Sequence, residues 1–244
     1  MTYAVALRLE GGLVFAADTR TNAGVDNIAQ YKKLQLWRRP GDRVLVLLAA
    51  GNLAVTQAVV SLLNEHLTEE AGEDSTTLDT APNMYRAARV VGDAIREARR
   101  IDGAALEASK LGFNTNFIFG GQIKGERPRL FQIYPEGNFI EATDDTPFFQ
   151  IGEHKYGKPI LDRVARSDMR LGEAAKLILL SFDSTLRSNL SVGMPLDLVI
   201  YERDTLDVTR EKRIGADDEY FRKLSGAWSD ALRQAFSKIE EFDV

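Results

Sequence analysis

The chain has no cysteine among its 244 residues. That removes thiol nucleophiles, disulfides and cysteine-based zinc or iron–sulfur sites together. Histidine is almost as scarce: His66 and His154 are the only two, too few for a multi-histidine metal site. No apolar run approaches the ~18–20 residues that span a bilayer. The opening stretch, Met1-Thr2-Tyr3-Ala4-Val5-Ala6-Leu7-Arg8-Leu9-Glu10, interrupts its apolar residues with Arg8 and Glu10 and has no basic lead-in. It is not read as a secretory leader, and the expected location is the cytoplasm. Charge of one sign is lacking too: 31 Lys and Arg stand against 36 Asp and Glu, a net −5. Without a basic stretch to track phosphates, nucleic acid is not an expected partner. The Gly-x-Ser-x-Gly elbow, the phosphate loop and His-Glu-x-x-His are all missing.

What is present is an ordinary globular composition, 44% hydrophobic and 27% charged. A chain of this length suits one large domain or two small ones and buries roughly 70–75% of its extended surface. No Gly-, Ser- or Pro-rich linker divides it, so residues 1–244 are read as one domain. Tyr3, Val5, Leu7 and Leu9 alternate with Ala4, Ala6, Arg8 and Glu10, which predicts a half-buried strand. Gly11-Gly12 supplies positive-φ residues for a tight hairpin, and Leu13–Asp18 returns. Further strands are expected near Tyr31–Trp37 and Arg43–Ala49. Val55, Ala58, Val59, Leu62, Leu63 and Leu67 repeat at helical spacing, as do Met84, Ala87, Val91, Ala94, Ile95, Ala98 and Ile101, each set giving one apolar stripe. Thr68–Thr80, acidic and polar, reads as the loop between them.

The second half repeats this order. Strands are expected at Asn116–Ile123, Arg129–Tyr134, Phe139–Ala142 and Phe148–Ile151, with Gly120-Gly121 a bulge or close-packing point. Helices follow near Tyr156–Arg166 and Gly172–Arg187, then strands at Asp197–Arg203 and Asp207–Arg213. A final helix is expected over Asp217–Phe242, with Phe221, Leu224, Trp228, Leu232, Ala235 and Ile239 on one side. Strands, two helices, strands, two helices, strands predicts an α+β protein of antiparallel sheets with helices outside, a four-layer α/β/β/α sandwich.

A serine–histidine–aspartate triad would have to recruit His66, beside a helical stripe, or His154. The start of the chain offers a nucleophile that needs no histidine. Thr2 follows the initiator Met, and its small side chain permits removal of that Met. A freed Thr2 carries its own base, an α-amine of reference pKa about 7.7–8.0 beside a hydroxyl. Thr2 opens a strand, Asp18 ends the hairpin partner near the same edge, and Lys33 falls in the following strand. Strand alternation alone does not separate Lys33 from Lys32. A buried ammonium between Asp18 and Thr2 would be held charged by the carboxylate and would ease deprotonation of the hydroxyl. A purely structural Asp–Lys pair on neighbouring strands accounts for the same residues.

Several blocks resemble proteasome β-type subunits, and more closely the bacterial proteasome-like Anbu family. They are Ala17-Asp18-Thr19-Arg20, Thr21-Asn22-Ala23-Gly24-Val25-Asp26, Lys32-Lys33, Ala50-Gly51-Asn52-Leu53-Ala54, Ile151-Gly152-Glu153-His154-Lys155-Tyr156-Gly157-Lys158-Pro159 and Asp183-Ser184-Thr185-Leu186-Arg187-Ser188-Asn189-Leu190-Ser191-Val192-Gly193. The resemblance runs from residue 2 to about residue 203. It implies an N-terminal-nucleophile hydrolase in which Thr2 is the nucleophile and its amine the base, Asp18 and Lys33 are the supporting pair, and the Gly51 N–H is the oxyanion donor. It implies that Ser191 hydrogen-bonds the Thr2 amine and that peptide adds along the edge near Thr21 and Asn22, with Tyr31, Ala49 and Leu53 shaping the specificity pocket. Glu153 stands where the β subunits keep a serine, and the aspartate they place near Ser188 does not align. Glu153 and Ser188 are therefore candidate modulators, Glu153 by holding the amine protonated. The implied protein is a cofactor-free threonine-type peptidase or amidase acting on peptide or protein. It would work as a large homo-oligomer, ring or spiral, assembled through its helical layers. The alternative is a proteasome-fold scaffold or binding protein with little hydrolysis, which retention of Met1 would favour.

Overall fold

The first hairpin sets the frame. In the computed structural model, β1 (Tyr3–Leu9) and β2 (Gly12–Asp18) pair antiparallel with Leu9 opposite Gly12, so the turn is Glu10-Gly11 rather than Gly11-Gly12. Gly12 is already in the strand. Its φ is +141°, and a Cβ there would lie 2.0 Å from the Tyr201 carbonyl oxygen, so the residue is needed for close approach to the neighbouring strand. The structure describes residues 1–22, 28–68 and 76–243, apart from the side chains of Asn22, His66 and Thr68. Residues 23–26 of the Thr21–Asp26 block, residue 27 after it, and residues 69–75 of the acidic loop lie outside the described residues.

The remaining elements follow in the order β3 (Arg20–Asn22), β4 (Ile28–Gln30), β5 (Leu34–Arg39), β6 (Arg43–Gly51), α1 (Leu53–Thr68), α2 (Met84–Ala108), β7 (Thr115–Ile123), β8 (Arg129–Ile133), β9 (Phe139–Glu141), β10 (Phe148–Gly152), α3 (Lys158–Val164), α4 (Leu171–Ser188), β11 (Leu196–Glu202), β12 (Arg210–Ile214) and α5 (Glu219–Phe236). They build one sheet in the order β10-β1-β2-β11-β12, a second in the order β5-β6-β7-β8-β9, and the small hairpin β3-β4. Strand pairing is antiparallel throughout these described sheets.

Three apolar cores define the layers. One lies between the two sheets and joins Ala4, Ala6, Phe15 and Ala17 to Val46, Leu48 and Ile118. The second packs α1 and α2 on the outer face of the second sheet, and the third packs α3, α4 and the start of α5 on the outer face of the first. The expected α/β/β/α sandwich is the observed one. The expectation of a half-buried β1 is corrected, because the strand is buried from end to end. Tyr3, Val5, Leu7 and Leu9 face α4 while Ala4 and Ala6 face the second sheet. Arg8, on the inter-sheet side, is buried and reaches the exposed carboxylate of Asp144. Alternation reports which residues share a face; it does not report whether a second layer covers the polar one.

Other boundaries differ for local reasons. The β3–β4 hairpin has only three residues in each strand and leaves no periodicity to detect. Gly120 and Gly121 are a close-packing point, since a Cβ on Gly121 would meet the Val44 carbonyl oxygen at 2.0 Å. The last helix stops at Phe236 instead of Phe242; the Ser237 N–H closes it on the Arg233 carbonyl at 3.0 Å. Beyond it the side chains of Ile239 and Phe242 are exposed, so no packing supports further turns. Among the described residues no helix is long and apolar enough to cross a membrane.

The hairpin turn yields a paired test. Gly12→Ala is expected to cost about 1–3 kcal/mol through its positive φ. Gly11→Ala, with open space around its Cβ position, is expected to be neutral or slightly stabilising. Thermal unfolding of the two variants beside the parent measures the difference.

Candidate active site

The start of the chain is pinned rather than free. Tyr3 pairs with Gly152 of β10, and Ala4 pairs with Ala17 of β2. The Thr2 carbonyl accepts the Glu153 N–H at 2.6 Å. Behind it, the Tyr3 hydroxyl donates to Ser181 Oγ at 2.9 Å and accepts from Gln150 Nε2 at 2.6 Å, while its ring lies 4.6 Å from that of Phe182. Burial pushes the Tyr3 phenol up to about 12, against the hydrogen bonds of Ser181 and Gln150. Thr2 itself is 8% exposed.

Asp18, the last residue of β2, is fully buried beneath this end. Its Oδ1 accepts the Tyr3 N–H at 3.0 Å and Lys33 Nζ at 2.8 Å, and its Oδ2 accepts the Gly193 N–H at 3.3 Å. Lys33, just before β5, also donates to the Arg20 carbonyl and, at 3.4 Å, to the Met1 carbonyl. Here the structure separates the two lysines: Lys33 is buried, whereas Lys32 is half exposed and 3.9 Å from Glu211. Burial raises the Asp18 carboxyl against the Lys33 charge and its three hydrogen bonds. Burial likewise lowers Lys33 against the attraction of Asp18. The amine of Met1 is lowered by burial and then by the Lys33 charge, with Asp18 opposing.

Above this pair opens a cleft of about 860 Å³ whose walls include Thr2, Thr21, Lys33, Ala49, Gly51 and Leu53. Ala49 donates its N–H to the Lys33 carbonyl at 3.0 Å, and Asn52 donates to the Asn114 carbonyl at 2.8 Å. Backbone N–H groups alternate sides along a strand, so the Gly51 N–H turns to the same edge as Ala49, past the end of β5. Gly51 has φ +121°, and a Cβ there would stand 2.3 Å from the Asn114 carbonyl oxygen. Only glycine fits the backbone that gives the N–H this direction.

Not every expected residue gathers here. Tyr31 is exposed beyond β4, where its N–H bonds the Thr19 carbonyl, and it is not among the residues that line the cleft. The Asn22 side chain lies outside the described residues. Ser191 is tied to the site through its loop: its N–H donates to Asn189 Oδ1 at 2.9 Å, and the same loop carries Gly193 to Asp18. Ser188 is exposed on the last turn of α4. The Glu153 carboxylate accepts from Asn189 Nδ2 at 2.9 Å and from the Lys155 N–H at 3.2 Å, while its own N–H bonds the Thr2 carbonyl. His154 is an exposed loop residue.

Sequence reasoning missed four contributors. Asn189 bridges the Glu153 and Ser191 loops; its only signal is an Asn two residues before a serine at a helix end, the pattern of an Asx turn. Gly193 supplies a main-chain donor and leaves no chemical signature. Asn114 and Asn116 help to wall the cleft from β7 and the loop before it.

Residues 2–200 match the family model described as proteasome subunit. The chain is 86% identical to Anbu from Hyphomicrobium sp. strain MC1, with a TM-score of 0.93 over 99% of this chain and 100% of that one. It is 48% identical to Anbu, an ancestral beta-subunit, from Yersinia bercovieri, with a TM-score of 0.92 over 99% of each chain. It is 46% identical to a protein solved as a helical assembly of the Anbu complex from Pseudomonas aeruginosa, with a TM-score of 0.93 over 99% of this chain and 98% of that one. No curated protein shows a significant match. Full-length similarity of this order, on a sandwich whose first strand begins over a buried lysine–aspartate pair, shows that the chain belongs to the proteasome-subunit family and is a bacterial Anbu member of it.

Proposed function

We propose that this protein is a threonine-type peptidase or amidase whose nucleophile is Thr2 once Met1 has been removed. The observation that carries the proposal is the buried Lys33–Asp18 pair, 2.8 Å apart, directly beside the cleft that Thr2 and Gly51 line. In the proposed reaction the freed Thr2 amine takes the proton of the Thr2 hydroxyl as Oγ attacks a substrate carbonyl. The Lys33 ammonium favours the developing alkoxide, and Asp18 keeps that ammonium charged. The Gly51 N–H receives the oxyanion, an interaction worth about 10²–10³ in rate in comparable sites. The intermediate collapses to an ester on Thr2 as the leaving amine takes the proton back. Water, deprotonated by the same amine, then releases the acid and restores the hydroxyl.

Peptide is the substrate class the cleft favours. Thr21, on the β3 edge, and Ala49 and Leu53, at the cleft wall, are the proposed specificity residues; Ser191 is the proposed partner of the freed amine. The helical assembly of the Pseudomonas aeruginosa relative supports self-association as the working form, with the cytoplasm as the proposed location.

Intact mass measured before and after an electrophilic peptide tests the proposal directly. The expected result is a chain lacking Met1 that gains one adduct, mapped to Thr2 and lost in Thr2→Ala. A chain that retains Met1 and gains no adduct leaves the scaffold reading instead.

The pH dependence of labelling carries a sign. Thr2 is buried and lines the cleft beside Lys33. Burial and a neighbouring positive charge both lower an amine, as they do the Met1 amine one residue earlier. The freed Thr2 amine is expected to shift the same way, and the base acts in its neutral form. The rate should therefore rise with pH and level off below the ordinary amine value of about 8. Lys33→Ala should slow labelling at least about 100-fold, the range of a lost acid–base or electrostatic group. A pH–rate profile centred above 8, or undiminished labelling of the Lys33 variant, contradicts the assigned roles.

A further inference from the structure

Glu153 touches the site through both its main chain and its side chain. Its N–H donates to the Thr2 carbonyl at 2.6 Å. Gly152 makes that contact possible: its φ is +81°, and a Cβ there would stand 2.0 Å from the Thr2 carbonyl oxygen, so only glycine lets the two segments close at this point. The Glu153 side chain is buried, and its two oxygens serve two donors. Oε1 accepts the Lys155 N–H at 3.2 Å, and Oε2 accepts Asn189 Nδ2 at 2.9 Å.

Asn189 has its Oδ1 committed to the Ser191 N–H at 2.9 Å. An amide held between an N–H and a carboxylate has one orientation, oxygen to the donor and nitrogen to the acceptor. The rest of this loop is fastened as well. Arg20 Nη1 donates to the Leu190 carbonyl at 3.0 Å, and the Gly193 N–H reaches Asp18 Oδ2 at 3.3 Å. Gly193 lies so close to Arg20 that a Cβ would stand 2.2 Å from Arg20 Nε. A continuous relay therefore runs from the Thr2 carbonyl through Glu153, Asn189 and the Ser191 loop to the carboxylate that holds Lys33. We propose that Glu153 is a positioning residue for the Thr2 reaction, holding Ser191 and Gly193 in register with Thr2 through the Asn189 amide. The proposal rests on the peptidase reading above and deepens it.

The donor count explains why a carboxylate stands here. Both oxygens of Glu153 accept, which a side-chain amide cannot match. Glu153→Gln keeps one oxygen for the Lys155 N–H and turns its nitrogen against Asn189 Nδ2, donor to donor. Asn189→Asp keeps an acceptor for the Ser191 N–H but sets two carboxylates face to face, an arrangement that like charges disfavour. Made together, the two changes fit again. The new amide donates to the new carboxylate, while the Lys155 and Ser191 N–H groups keep their acceptors. Each replacement is close to isosteric, so a role in packing alone predicts small and additive effects.

Two readouts on the full chain test this, both at about pH 8, well above the ordinary carboxylate range of about 4. The first is the rate at which an electrophilic peptide labels Thr2. Glu153→Gln and Asn189→Asp should each slow it at least about tenfold, and the double variant should return to within about threefold of the parent, because members of one hydrogen-bond network couple. The second is hydrogen exchange of the Gly193 amide, read by mass spectrometry with residue-level fragmentation, which needs no reaction at Thr2. Exchange should quicken at least about tenfold in each single variant and recover in the double. Labelling or exchange that is unchanged in either single variant, or that the double variant does not recover, overturns the proposal. A parent chain that gains no adduct removes the peptidase function instead, and exchange then decides whether the relay stands.

Discussion

The arrangement at the head of the chain depends on one buried ion pair. Asp18 has no exposed surface and Lys33 has little, and two charges removed from water are stable only when every lone pair and proton finds a partner. Asp18 meets that demand by collecting donors from three distant segments: the first strand through Tyr3, the approach to β5 through Lys33, and the loop after α4 through Gly193. Removing one partner of such a pair costs about 3–5 kcal/mol, because the survivor is left uncompensated. The pair therefore fixes the local geometry as well as the local field, and the same contacts that satisfy Asp18 place Thr2, Lys33 and the Gly193 loop around one point.

The surrounding layers make this possible. A sheet covered on one face leaves its alternate side chains wet, and a carboxylate there would be screened. Here the second sheet closes over Ala4, Ala6 and Ala17, small residues that let the sheets approach, while α4 closes the opposite face over Tyr3 and Val5. The pair sits at the end of this double burial, next to the cleft mouth. Low dielectric strengthens its interactions, and the cleft gives a substrate access to them.

How much of this the sequence disclosed follows from what periodicity encodes. The layer order, both long helices and most strands were legible because apolar spacing reports the shared face directly. Asp18 and Thr2 were legible because they stand at the two ends of one hairpin. Lys33 could not be told from Lys32 by alternation, since the chain enters β5 only at Leu34 and pleat parity is not yet set there. The direction of the Glu153 carboxylate was not legible, because it is held by Asn189, 36 residues away in sequence. Gly51 was legible as a residue type, but the orientation of its N–H depends on where β5 ends, a tertiary fact. The helix past Phe236 was overextended because its periodicity is genuine while Ile239 and Phe242 are exposed and find no core to pack against among the described residues.

The bonds that hold Thr2 carry one further consequence. Its carbonyl is secured by Glu153, and the following N–H by Asp18; both fastenings lie on the downstream side of its α-carbon. Among the described residues, Met1 contributes to the anchoring the 3.4 Å contact of its carbonyl with Lys33. Trimming the leading residue therefore leaves the new terminus moored as before, and the vacated space falls where the ammonium of Lys33 already points.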